Sequence, residues 1–152
     1  MADFAFNIAK GRAIELVNRV KVGDPAAARL YAIPVDVAAV TDATIKDLDD
    51  FAAIITAGVT ERNANGWSRI TIAAADITAI SPDDTNDRQD ADFIDLVWAG
   101  PTAGAVTDLI ICYASVGSPT NSQLLPLSQH DFAVTPDGSQ VTGTVAVFYR
   151  AT

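Results

Sequence analysis

A chain of 152 residues, 49% hydrophobic and 19% charged, can bury roughly 70% of its unfolded surface, so it needs no disulfide or metal staple to fold. Its net charge of −9 repels nucleic-acid phosphates at long range, which argues against DNA or RNA as a direct partner. One cysteine and one histidine exclude an internal disulfide and cannot furnish a zinc site.

The length favours a single domain over residues 1–152. Charged residues fall below the usual ~25%, which leaves neutral surface for protein contacts or reflects a small, well-buried domain. Charge is unevenly placed. Six aspartates and one arginine between Ser81 and Leu96 supply −5, whereas five basic and three acidic groups make the first 29 residues +2. The basic set is Lys10, Arg12, Arg19, Lys21 and Arg29, read as a solvated face that can also meet an acidic protein surface. Met1 to Asn7 lacks the basic region and apolar core of a signal peptide, and no apolar stretch approaches ~20 residues, so synthesis in the cytoplasm without membrane insertion is expected.

In chain order, Phe4 to Ile8 alternates apolar positions and suggests an extended N-terminal arm, within residues 1–12, or an edge strand. Residues 12–22 fit either period. Gly11 and the valines favour a strand. Gly23-Asp24-Pro25 marks a turn. Arg29 to Val37 reads as a strand, with Pro34 at an edge or at the strand's end because it lacks an N–H. One amphipathic helix is predicted over 44–57. Thr44 caps it, Asp47, Asp49 and Asp50 sit near its positive end, and Gly58 ends it; Ile45, Leu48, Phe51, Ala52 and Ile55 form its apolar stripe. From Trp67 onward the pattern is β. Strands are expected over 69–72, 93–98, 106–114, 123–128 and 132–135, with a last one over 141–150. The last two form a hairpin about Pro136-Asp137-Gly138. The class is therefore α+β, mainly antiparallel sheet with one packed helix.

Chemical equipment is sparse. Ser128, His130 and Asp131 are adjacent in sequence, but catalytic triads draw their members from separate elements, so His130 is expected to be a loop histidine bonded to backbone. Cys112 sits in an apolar run and reads as a buried, inert thiol. The 83–95 segment is rich in carboxylates yet misses EF-hand spacing. Counting from Asp84, Asn86 fits, but Arg88 takes the third ligand position and no glycine follows it. Asp83, Asp84, Asp87 and Asp90 remain weak candidates for a nonstandard cation site, the alternative being a solvated loop or one that contacts basic groups of a neighbouring chain. Trp67, Trp98 and Tyr113 are either core aromatics or platforms for a glycan. No phosphate-cradling loop or dinucleotide fingerprint is present. These features point to no catalytic residue and no cofactor.

Several segments together carry a resemblance. They are Phe6-Asn-Ile-Ala-Lys-Gly-Arg12, Asp83-Asp-Thr-Asn-Asp-Arg88, Trp98, Leu109-Ile-Ile-Cys-Tyr113, Leu125-Pro-Leu127, His130-Asp-Phe-Ala-Val-Thr-Pro-Asp-Gly138 and Phe148-Tyr-Arg-Ala151. In this order, across nearly the whole chain, the series resembles a family of small proteins encoded among the virion structural genes of tailed phages, often those of actinobacteria. The resemblance implies a minor capsid or head decoration protein, binding the major capsid protein and copies of itself on the virion shell. A tail-tube or head–tail connector subunit is the alternative in the structural class, and a glycan- or cell-surface-binding module the alternative outside it. Under the first reading, Phe4, Phe6, Lys10 and Arg12 form a docking arm, and Asp83, Asp84 and Asp87 contact basic residues of a neighbour.

Overall fold

The computed structural model describes residues 3–151. It is mainly antiparallel β with three α-helices, an α+β fold. The strands are β1 (Phe4–Ala5), β2 (Arg29–Asp36), β3 (Thr60–Glu61), β4 (Ile70–Ile72), β5 (Ile77–Asp83), β6 (Arg88–Phe93), β7 (Leu96–Trp98), β8 (Val106–Ala114), β9 (Leu125–Val134), β10 (Val141–Gly143) and β11 (Tyr149–Ala151). The helices are α1 (Ala13–Val22), α2 (Asp42–Ile45) and α3 (Phe51–Thr56).

A six-stranded sheet in the order β1-β9-β8-β2-β3, with β4 also on β2, forms the body. Its centre is β8, buried at nearly every position and paired to β2 from Arg29↔Ala114 to Val35↔Asp108. A continuous apolar run such as Leu109-Ile-Ile-Cys-Tyr113 suits a strand covered on both faces. Beside it stand a three-stranded sheet, β11-β6-β5, and the pair β10-β7. Helix α1 packs on β2 of the first sheet and on β5, β6 and β11 of the second.

Within residues 12–22, Ala13–Val22 is a helix, not the expected strand. Ala13, Leu16, Val17 and Val20 are all buried, the i, i+3, i+4, i+7 spacing of one helical face. Arg19 Nε lies 2.8 Å from Glu15 Oε1, an i,i+4 pair on the outer face. Gly23, at φ 71°, closes the last turn in the left-handed conformation. Ala13 anchors this period, and its small size hides it in a reading based on large apolar residues.

The single helix expected over 44–57 is two short ones. Asp50 takes extended backbone, φ −147° and ψ 162°, and its carboxylate accepts the Ala53 N–H at 2.8 Å, so it starts α3 instead of continuing α2. Thr41, not Thr44, caps α2. Ile45, Phe51 and Ile54 are buried, with Leu48 and Ile55 packed beside them. Pro34 lies in a central strand, which the flanking pairs explain. Pairing of β2 with β4 ends at Ala32, that with β3 begins at Val35, and Pro34 contributes only its carbonyl, to Arg62 N–H at 2.9 Å.

The strand expected over 93–98 is split between β6 and β7, and β6 starts inside the supposed acidic loop. The terminal hairpin does not form. Gly138 has the expected positive φ of 90°, but its N–H donates to the Pro101 carbonyl at 2.9 Å, and β10 and β11 leave to pair with β7 and β6. A Cβ at Gly100 would come within 2.8 Å of the Gly138 carbonyl oxygen, so this crossing requires glycine. No helix among the described residues is long and apolar enough to cross a membrane.

Candidate functional site

Two clefts open where the large sheet meets the segment leading into β11. One, of about 530 Å³, has Phe93, Leu109, Ile111, Phe132 and Phe148 in its lining. The other, of about 380 Å³, lies between β1 and β11. Asp3, His130, Val147 and Phe148 border both.

His130 is a strand residue, not the expected loop histidine. Alternation along β9 puts Ser128 and His130 on one face, and Ser128 Oγ lies 2.8 Å from His130 Nε2. The carboxylate on the other ring nitrogen comes from Asp3 beside β1, with Oδ2 3.5 Å from Nδ1. Asp131, the sequence neighbour, holds Asp3 instead, its backbone N–H donating to Asp3 Oδ1 at 2.8 Å. Burial pushes the His130 pKa below its ordinary value against the opposing pull of Asp3, so the ring is neutral at pH 7. This is the order of a nucleophile, base and carboxylate. Ser128 is only 2% exposed, however, so the relay is better placed to fasten β1 onto β9 than to attack a substrate. The carboxylate is 127 residues from His130 in the chain, a separation that no local motif reveals.

The acidic candidates lie on the β5–β6 hairpin, where Asp83 and Asp90 meet arginines. Asp83 accepts the Asn86 side-chain amide at 2.8 Å and has Arg88 Nε 3.0 Å away. The Asn86 bond first, and Arg88 after it, hold its carboxyl below the usual range. Arg150 makes a two-pronged contact with Asp90 at 2.7 and 3.0 Å, which lowers the Asp90 pKa in the same direction. Asp84 and Asp87 are exposed at the tip. Among the described residues no three acidic, histidine or cysteine side chains gather as a metal site, so the four candidates are not assembled into one. Asp87 adopts a left-handed φ of 49°, which aspartate tolerates in a tight turn.

The expected docking arm is built into the fold. Phe6 is fully buried and Phe4 partly so, their rings 5.2 Å apart, and β1 pairs with β9 at Phe4↔Gln129 and Ala5↔Ser128. Arg12 Nε donates to the Ile8 carbonyl at 2.8 Å, and Lys10 Nζ to Asn7 Oδ1 at 2.7 Å. Trp67 and Trp98 are each 2% exposed, stacked edge-on at 5.4 Å, and their indole N–H groups donate to the carbonyls of Gly104 and Ser68. They are core aromatics, so neither offers a face to a glycan. Cys112 is fully buried and its thiol pKa is pushed well above the ordinary value. Comparison with known proteins returned no matching family model, no matching curated protein and no matching solved structure.

Proposed function

We propose that this chain is a structural component of a tailed-phage virion, a decoration or minor capsid protein that binds the major capsid protein and strengthens the shell without catalysing a reaction. The observation that carries this reading is the convergence of the resembling segments. Phe6–Arg12, Leu109–Tyr113 and the pair Leu125–Leu127 and His130–Gly138 come from three stretches of the sequence, but they follow or form β1, β8 and β9, which are neighbours in one sheet. Phe148–Ala151 ends in β11, and Asp83–Arg88 is the tip of the β5–β6 hairpin in the same small sheet. Leu109 and Ile111, His130 to Phe132, and Phe148 to Arg150 line the clefts, so three of the segments meet there.

The disposition of reactive groups supports the same reading. The thiol and both indoles are sealed in the core, and the acidic hairpin is latched by arginines. The accessible surface includes strand edges, carboxylates and scattered apolar side chains such as Val22, Val97 and Val147. Such a surface makes modest contacts, and repetition over a shell multiplies them. The protein would be made in the host cytoplasm and reside on the capsid.

The test is light scattering on the purified protein followed by co-sedimentation with empty phage shells. A monomer or trimer that pellets with shells is the expected result. A stable six-fold ring that stays in the supernatant would overturn it in favour of a tail-tube or connector subunit.

A further inference from the structure

Two strand edges border one cleft. Among the described residues, β1 ends the large sheet and pairs only with β9, and β11 ends the small sheet and pairs only with β6. The cleft of about 380 Å³ between them has Asp3, Phe4 and Ala5 on one wall and Val147, Tyr149 and Arg150 on the other. The Phe6 N–H donates to the Leu127 carbonyl at 3.0 Å. The Phe6 carbonyl accepts the Ala9 and Lys10 N–H groups of the following turn. Hydrogen bonding alternates along an antiparallel pair, so with the Phe6 N–H turned to β9, Ala5, one residue before it, turns its N–H and C=O outward.

We propose that this cleft is a strand-addition site that accepts an extended, basic segment of a partner protein, paired to the β1 and β11 edges at once, with a lysine or arginine of that segment meeting Asp3. Only an extended peptide supplies backbone donors and acceptors to both edges. Each edge is short, two residues in β1 and three in β11. Alone, neither would template a strand strongly, which also protects the protein from self-association. Two edges acting on one guest are sufficient. The partly buried Phe4 and the exposed Val147 give its apolar side chains a surface.

The sign of the guest follows from the charges. The Asp3 side chain is 64% exposed and its ring partner, His130, is neutral. Arg150, across the cleft, is already bound to Asp90. A second copy of a chain with net charge −9 is the less favourable guest, and a basic segment the more favourable one. The proposed shell-binding role bears only on who the partner is; the chemistry of the cleft does not depend on it.

The probe is the peptide acetyl-Lys-Val-Lys-Val-Lys-Val-amide, titrated into isotope-labelled protein beside its counterpart with glutamate for lysine. Saturable shifts of the amide signals of Ala5 and of Tyr149 to Ala151 are expected with the basic peptide and much weaker ones with the acidic peptide. Ala5→Pro deletes only the outward N–H and leaves the Phe6 bond to β9, so it should weaken binding about tenfold, as one lost hydrogen bond to a guest strand implies. Asp3→Asn removes the charge but keeps a side-chain oxygen for the Asp131 N–H, so it tests the same site by charge should the proline variant fail to fold. No saturable shift at Ala5, or wild-type affinity in both variants, overturns the proposal. Pelleting with phage shells separates it from the functional reading. An Ala5→Pro protein that has lost the peptide but still pellets shows that the shell does not use this cleft, with the virion role intact. Wild type that binds the peptide but ignores shells upholds the cleft and removes the virion role.

Discussion

The large sheet and the small one are held together by different forces. In β2, β8 and β9 the interior is closed and mainly apolar: Leu30, Ile33, Ile110 and Leu127 are fully buried, and of the buried polar side chains Gln129 donates to Asp108 at 3.1 Å. In β5, β6 and β11 only Ile77, Ala91 and Phe93 of the strand residues are buried, and the outer part of the sheet is tied by Arg88 and Arg150 to Asp83 and Asp90. Apolar burial neither titrates nor is screened by salt, whereas partly exposed ion pairs do both. One region therefore behaves as scaffold, and the other as a charged latch that can yield to a partner.

Breaking the scaffold should have the largest effect. Ile110→Ala removes a fully buried side chain from the central strand and is expected to cost about 2–5 kcal/mol, measured by urea unfolding. Ile80 on β5 is only partly buried, so Ile80→Ala should cost about 1 kcal/mol. Equal losses at the two positions would erase the distinction between the regions.

The seam between the regions should respond to pH with intermediate size. Burial holds the His130 pKa below its ordinary 6.5, so the folded protein prefers the neutral ring. As pH falls below that value the unfolded chain takes up the proton first. The contribution is therefore complete above about pH 6.5 and is lost as pH falls through the lower folded-state pKa. Urea midpoints measured from pH 8 to pH 5 should decline over that window in wild type and stay flatter in His130→Gln. A variant with an unchanged slope would show that Asp3, which opposes the shift, cancels the burial effect.

Legibility in the sequence followed the same division. The run Val106 to Ala114 reads as a buried strand because nearly every position is apolar, and it is one. Where burial is one-sided the period is harder to read. Helix α1 was obscured by Ala13 and by valines that suit strands, and the 44–57 stripe hid the cap at Asp50 that divides it. Register beyond hairpins was not legible at all. Nothing local in Tyr149 or Arg150 says that their strand pairs with Ala91 and Asp90 rather than with the strand before it. The carboxylates of 83–90 were visible as candidates and Arg88 stands among them, but the second arginine was not visible: Arg150 arrives from 60 residues away. Pairing partners at long range decide whether an acidic loop is a cation site or a latch, and single-sequence patterns carry little of that information.

The smallest expected effect tests the latch itself. Asp90 on β6 faces Arg150 on β11 in register, and the two-pronged contact holds the carboxyl below its ordinary 3.8. A depressed carboxylate pKa contributes stability above the unfolded value, and that contribution is lost as pH falls through the folded one. Wild type and Asp90→Asn should therefore differ slightly at pH 7, converge below about pH 3.8, and converge also in 1 M salt, where the screening length falls to about 3 Å. The readout that isolates the latch is hydrogen exchange. Amides of Tyr149 to Ala151 should exchange faster in the variant while those of Leu109 to Cys112 keep their protection, because local opening of a charge-held edge leaves an apolar sheet intact. Loss of protection in β8 as well would mean that the two sheets open as one unit, and the division into scaffold and latch would fall.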